Sequence, residues 1–240
     1  MAYFKRDRFS GTAPGVAPRL LADQFGQIAE NVDLESGRLV SIKEDSDVYT
    51  LQNSTRRSIY YYRDTSWLEW NEDNVSVVPG PIPGDTTDRL YFTGDDYPRV
   101  GNVSTLVSGS AGYPVNSFRL GIPAPASAPT TAKSGTADAT QTPSDVSYVF
   151  TFVSGFGEEG PPSPASAVFE LTDTETVVVT MGSSLSGNFN FGATSGALRR
   201  IYRSNTGSTN TTFQFVGEVP YATQTFTDTK DAAQLGEVLP

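Results

Sequence analysis

The chain has 240 residues with no cysteine and no histidine, and 27 carboxylates against 17 Lys plus Arg give a formal net charge of −10. Without thiols there is neither disulfide nor thiolate, and without imidazole the Ser-His-Asp, Cys-His and His-ligated zinc chemistries are excluded together. The acidic balance argues against a nucleic-acid clamp, which needs a basic face to displace phosphate counterions, but not against a surface that nucleic acid slides past.

In chain order, the first feature is helical. Pro18 suits a first helical turn, and Leu20, Leu21, Phe25, Ile28 and Ala29 recur at spacings of three and four. This predicts a short amphipathic helix ending near Asn31, followed by an extended run through Leu34 and Leu39. Residues 1–45 thus read as an N-terminal arm with one helix, whose apolar face needs a surface to lie against. Leu20, Leu21, Phe25, Ile28, Leu34 and Leu39 are the candidate assembly contacts.

Residues 46–120 read as a small β-rich domain. Its strand candidates are 47–51, 58–62, 67–70, 75–78 and 89–92, with a hairpin loop between Tyr62 and Trp67 and a firm break over Pro79 to Gly84. Residues 121–142 are rich in Pro, Ala and Ser and read as an extended linker. Beyond it, six alternating runs at 147–153, 167–171, 176–180, 198–203, 212–216 and 224–227 predict an immunoglobulin-like β-sandwich over 143–240. The expected fold class is mainly β, with the helical arm at its start.

Candidate chemistry is sparse. Asp95 with Asp96, and Asp173 with Glu175, are the acidic pairs, and neither has the spaced ligands of a calcium loop. They read as surface turns, so no metal or cofactor is expected. Gly155-Phe-Gly-Glu-Glu-Gly160 lacks the following Lys-Ser/Thr and helix of a phosphate loop and reads as a turn. Tyr61, Trp67 and Trp70 are candidate contacts for a glycan or a protein, because exposed aromatics serve both. Arg199, Arg200 and Arg203 on one strand suggest a solvated face or an intersubunit ion pair. No apolar run approaches the roughly 20 residues that span a bilayer, and the N-terminus has no apolar signal core. A soluble, cytoplasmically made chain without a membrane span is expected.

Three pieces together give a resemblance. Gly15-Val-Ala-Pro-Arg-Leu-Leu21 followed by Ala29-Glu-Asn-Val-Asp-Leu-Glu-Ser-Gly-Arg-Leu39 resembles the opening arm of tail tubular or nozzle proteins of short-tailed bacteriophages. Phe118-Arg-Leu-Gly-Ile-Pro-Ala-Pro125 is similar to the bridge that follows it in such virion proteins. Ile201 to Ser204, Phe226 to Thr229 and Leu235 to Pro240 resemble an inserted fibronectin-III-like module. Two departures stand beside the likeness. Tyr148 to Val153 with Gly157 to Pro164 looks like a pair that usually closes such a module, yet here it comes first. Nozzle proteins also continue past the length seen here, which implies an N-terminal portion or a compact relative acting as an adaptor.

The resemblance implies a non-enzymatic virion protein: a homo-oligomeric ring below the portal or adaptor, contacting other tail or fibre proteins. DNA would pass through it without sequence-specific binding. The alternative from another class is a carbohydrate-binding or adhesin module, or a fibre-base protein, that attaches to the host.

Overall fold

A computed structural model describes residues 9–33, 40–42, 46–109, 112–182, 185–206 and 210–240. The chain divides into two units, residues 1–50 and 51–240.

In the first unit the expected amphipathic helix is absent. Only Pro18–Leu20 forms a single 3-10 turn, and Leu21 is already extended. Ala17 ahead of the turn offers no side-chain cap, and a helix this short is marginal in water without tertiary packing. Competing backbone bonds decide the outcome. Ser10 N–H donates to Gln24 O (2.7 Å), Gly26 N–H to Gly11 O (3.0 Å) and Ala13 N–H to Gly26 O (2.8 Å). These tie Gln24 and Gly26 to residues 10–13, while Phe25 N–H turns back on its own segment, to Ala22 O (3.0 Å). The ring of Phe9 fills the space beside Gly26, where a Cβ would lie 3.2 Å from it. Asn31 then takes a left-handed conformation (φ 57°) and leads into β1 (Val32–Asp33), which pairs antiparallel with β2 (Val40–Ser41). Leu34 and Leu39 lie outside the described residues. The strand expected at 47–51 does not form, and Val48 is 87% exposed.

The second unit opens with a hairpin of β3 (Ser58–Tyr62) and β4 (Ser66–Trp70), with Tyr62 opposite Ser66. A four-stranded antiparallel meander follows, in the order β5 (Ser76–Pro79), β6 (Leu90–Thr93), β7 (Arg99–Gly101) and β8 (Phe118–Arg119). One helical turn, α1 (Val103–Leu106), is closed by a reciprocal Asn102–Thr105 cap and buries Leu106. Tyr62, Leu68, Trp70, Leu90, Phe92 and Leu106 form a core shared by hairpin, meander and helix. Period two sends Tyr60 and Tyr62 toward it and leaves Ile59 and Tyr61 exposed on the other face.

The rest is built from β9 (Thr130–Ser134), β10 (Ser144–Val146), β11 (Tyr148–Val153), β12 (Phe169–Leu171), β13 (Thr176–Thr180), β14 (Leu198–Thr206), β15 (Thr211–Pro220) and β16 (Thr225–Asp228). Two three-stranded antiparallel sheets, β11-β14-β15 and β16-β13-β9, share one core with the β10-β12 pair. That core includes Tyr148, Phe150 and Phe152 of β11, Val177 and Val179 of β13, Ile201 of β14 and Val216 of β15. Gly217 is required where the sheets approach, because a Cβ there would lie 2.6 Å from the Phe226 ring. Strand β9 corrects the linker expectation: Thr130–Ser134, within the Pro/Ala/Ser-rich stretch, pairs residue by residue with β13. Alternation at Thr131, Ala132 and Lys133 is too weak to read as a strand without its partner.

Both outer edges of the β11-β14-β15 sheet are covered by the chain itself. Gly160, Ser163 and Ser166 donate their N–H groups to the carbonyls of Phe152, Phe150 and Tyr148, each at 2.9 Å. The Oγ of Ser163 and of Ser166 accepts in return from Phe150 N–H (3.1 Å) and Tyr148 N–H (3.0 Å). The period-three run Gly160-Pro-Pro-Ser163-Pro-Ala-Ser166 therefore seals an edge that would otherwise template aggregation. On β15, Phe215 N–H donates to Glu237 O and Leu239 N–H to Phe213 O, both at 2.8 Å. Replacing both serines by alanine leaves two buried N–H groups unpaired, and the expected loss is about 1–3 kcal/mol for each in urea unfolding. A double variant within error of wild type would refute this sealing role.

Candidate functional site

The described residues form a cleft of about 330 Å³. Its walls are β3, through Tyr60 and Tyr62, the turn residue Arg63, and the connection from Pro79 to Leu90 between β5 and β6. Arg63 takes a left-handed conformation (φ 54°) because the hairpin reverses there, and Asp88 does so where the connection re-enters β6 (φ 48°). The polar lining is arranged as two ion pairs. Arg89 Nε lies 2.8 Å from Asp85 Oδ2, and Arg63 Nη2 lies 3.2 Å from Asp88 Oδ2. Asp85 Oδ1 also accepts from Thr87 N–H (3.0 Å) and Thr87 Oγ1 (2.6 Å). The Arg89 guanidinium, and after it Thr87, hold the Asp85 carboxyl well below the usual carboxylate range. Tyr62 Oη donates to Asp88 O (2.7 Å), and burial first, then the Asp88 charge, pushes its phenol up.

The aromatic candidates separate. Tyr61 is 44% exposed and its ring lies 4.6 Å from that of Trp67, tilted by 31°. Trp70 is 3% exposed and packs on Phe92 in the core, which corrects its assignment as a glycan or protein contact. Strand pairing places Trp67 opposite Tyr61 and Trp70 opposite Ser58, so the two tryptophans occupy opposite faces. Of the arm candidates, Leu20 and Ile28 are 71% and 78% exposed, while Leu21 and Phe25 are half-buried. They do not form one helical face, since the segment is not a helix.

The acidic pairs are occupied by the fold. Asp95 Oδ2 lies 3.4 Å from Arg99 Nε. Glu175 accepts from Thr172 N–H (3.0 Å) and pairs with Lys133 (3.0 Å), and these contacts lower its carboxyl. Among the described residues no group of three or more acidic side chains is placed to hold a metal ion.

Strand β14 carries the largest departure from the expected solvated arginine face. Arg199, Ile201 and Arg203 share the core-facing side, and Arg199 is 0% and Arg203 3% exposed. Arg199 sits 5.2 Å and 5.1 Å from the centroids of Phe152 and Tyr221 and donates to the carbonyls of Tyr221 (2.7 Å) and Gly182 (2.6 Å). Cation–π contacts and backbone acceptors thus replace a carboxylate partner. Arg203 Nη1 donates to Asp228 Oδ2 (2.7 Å), which also accepts from Tyr148 Oη (2.7 Å). On the opposite face Arg200 pairs with Glu159 and Glu218, and Tyr202 Oη donates to Glu159 (2.6 Å). The Gly155 to Gly160 turn therefore supplies Glu159 to a structural network rather than to a phosphate.

Burial first, and then the neighbouring Asp228 or Glu159, pushes the phenols of Tyr148 and Tyr202 upward. Both keep their proton in the fold at a pH where the unfolded chain loses it. Stability is therefore expected to fall as pH rises above about 10, by about 1.4 kcal/mol per pH unit for each phenol. Tyr202→Phe should shallow that slope in urea unfolding, and an unchanged slope would refute the assignment.

Among the described residues no helix is long and apolar enough to cross a membrane. Comparison with protein-family models and with curated proteins finds no match to this chain.

Proposed function

We propose that the chain is a non-enzymatic structural component of a short-tailed bacteriophage tail: a nozzle, hub or adaptor ring that forms part of the DNA exit channel. The reading rests on the N-terminal unit. None of its described side chains is buried, while Val16, Leu20, Ile28, Val40, Ile42 and Val48 are exposed. Apolar side chains concentrated on a segment whose described residues bury none of their side chains are stabilised by a partner surface. The likeness of residues 15–39 and 118–125 to virion tail proteins supports the same reading and suggests the neighbours, a portal or adaptor and other tail proteins. The formal charge of −10 suits a channel that repels phosphates and lets DNA pass.

Light scattering and negative-stain images of the full chain are expected to show a ring or large oligomer. A strict monomer would sink the proposal, and an electropositive channel in the assembled ring would sink its DNA-passage part. The exposed Tyr61 beside Trp67 favours a second reading, attachment to host or fibre through that hairpin face.

A further inference from the structure

We propose that the cleft between β3 and the β5–β6 connection binds an uncharged, hydroxyl-rich saccharide. The proposal rests on this cleft alone and stands or falls separately from ring assembly. At about 330 Å³ the cleft falls within the range of small-ligand sites. Its chemistry narrows the ligand class by elimination.

The four charged side chains of the lining cancel as Arg63 with Asp88 and Arg89 with Asp85. A cleft of zero net charge selects neither anion nor cation. It does offer paired donors and acceptors. Each guanidinium holds its carboxylate through one nitrogen, and no further hydrogen-bond partner of either is present among the described residues. A sugar hydroxyl both donates and accepts, so two neighbouring hydroxyls can accept from a guanidinium and donate to the carboxylate beside it. Tyr60, half-buried and packed against the core, lines the cleft and brings an aromatic ring to its wall, a group against which the C–H side of a pyranose packs.

An extended peptide fits poorly on the β5 side. Pro79 has no N–H to offer, and the Gly80 N–H is already donated to Arg89 O at 2.7 Å. The polar groups are also held in place beforehand. Thr87 fixes Asp85 through two hydrogen bonds, and Tyr62 Oη fixes the backbone of Asp88. Little ordering is then left for the ligand to impose.

The test uses the full chain with cellobiose, maltotriose and chitotriose in saturation-transfer NMR and isothermal titration. At least one is expected to bind with a Kd of about 1 mM or tighter, and Arg63→Ala to weaken it about tenfold or more. The Arg63 side chain is 49% exposed, so the variant should keep the wild-type circular dichroism spectrum and melting curve. Tyr60→Ala should also weaken binding, whereas Tyr61→Ala, on the other face of β3, should leave it unchanged. Absence of binding by all three sugars at about 10 mM overturns the proposal. So does binding that survives Arg63→Ala, or binding lost in Tyr61→Ala alone, which would move the site to the Tyr61–Trp67 face.

Discussion

Replacing Asp228 by alanine should destabilise the protein by about 3–5 kcal/mol, the cost of leaving a buried charge without its partner. The side chains of Arg203 and Asp228 are 4% and 1% exposed, so water cannot take over when the carboxylate is removed. The same substitution also deprives Tyr148 Oη and Lys230 N–H of their acceptor. Total stability of a domain is only about 5–15 kcal/mol, so the variant should melt some 6–20 °C lower. The double variant Arg203→Met with Asp228→Leu removes both charges and should recover the part of the loss due to the unpaired charge, while the cost of leaving Tyr148 Oη and Lys230 N–H without an acceptor remains. A single variant within about 1 kcal/mol of wild type would show that the pair is not structural.

Substituting both Leu20 and Ile28 by aspartate is expected to dissociate the assembly while leaving the fold of residues 51–240 unchanged. Both residues are exposed within the chain, and surface changes of this kind usually shift folding stability by no more than about 0.5 kcal/mol. In an interface the same side chains would contribute about 1.5–3 kcal/mol each by burial. Loss of two such contacts per subunit corresponds to a shift of about a hundredfold or more in the assembly midpoint concentration. Sedimentation across a concentration series, paired with urea unfolding, separates the two effects. Undiminished assembly of the variant would remove the arm from the interface. Both of these hydrophobic cores lie wholly within 51–240, so removal of residues 1–50 tests the same point with a larger lesion.

Much of the β structure is readable along the chain because strand period and burial coincide there. Tyr148 to Val153, Thr176 to Thr180 and Leu198 to Arg203 alternate or run apolar between turn residues, and each is a strand. The helical reading of Leu20 to Ala29 failed because spacings of three and four record only where apolar residues fall, not what they meet. Once Gln24 and Gly26 bond to residues 10–13, that periodicity has no face to bury. Strands β7 and β8 span three and two residues, too short to show any period. Strand β9 is polar and exposed, and it exists because β13 offers it an edge. Likewise, nothing local distinguishes the buried Arg199 and Arg203 from the half-exposed Arg200, except their parity on a strand that lies between two others.

Composition alone excluded histidine- and thiol-based chemistry, and alternating apolar residues with Gly and Pro punctuation determined a mainly β chain, since both depend only on residue type and local period. Tertiary structure decided which tryptophan is core and which arginines are buried. It also brought Tyr60 and Arg63 to face Asp85 and Arg89 across a cleft. These depend on contacts between residues some 20 or more positions apart in the chain, where local pattern carries no information and only packing and charge pairing select the partner.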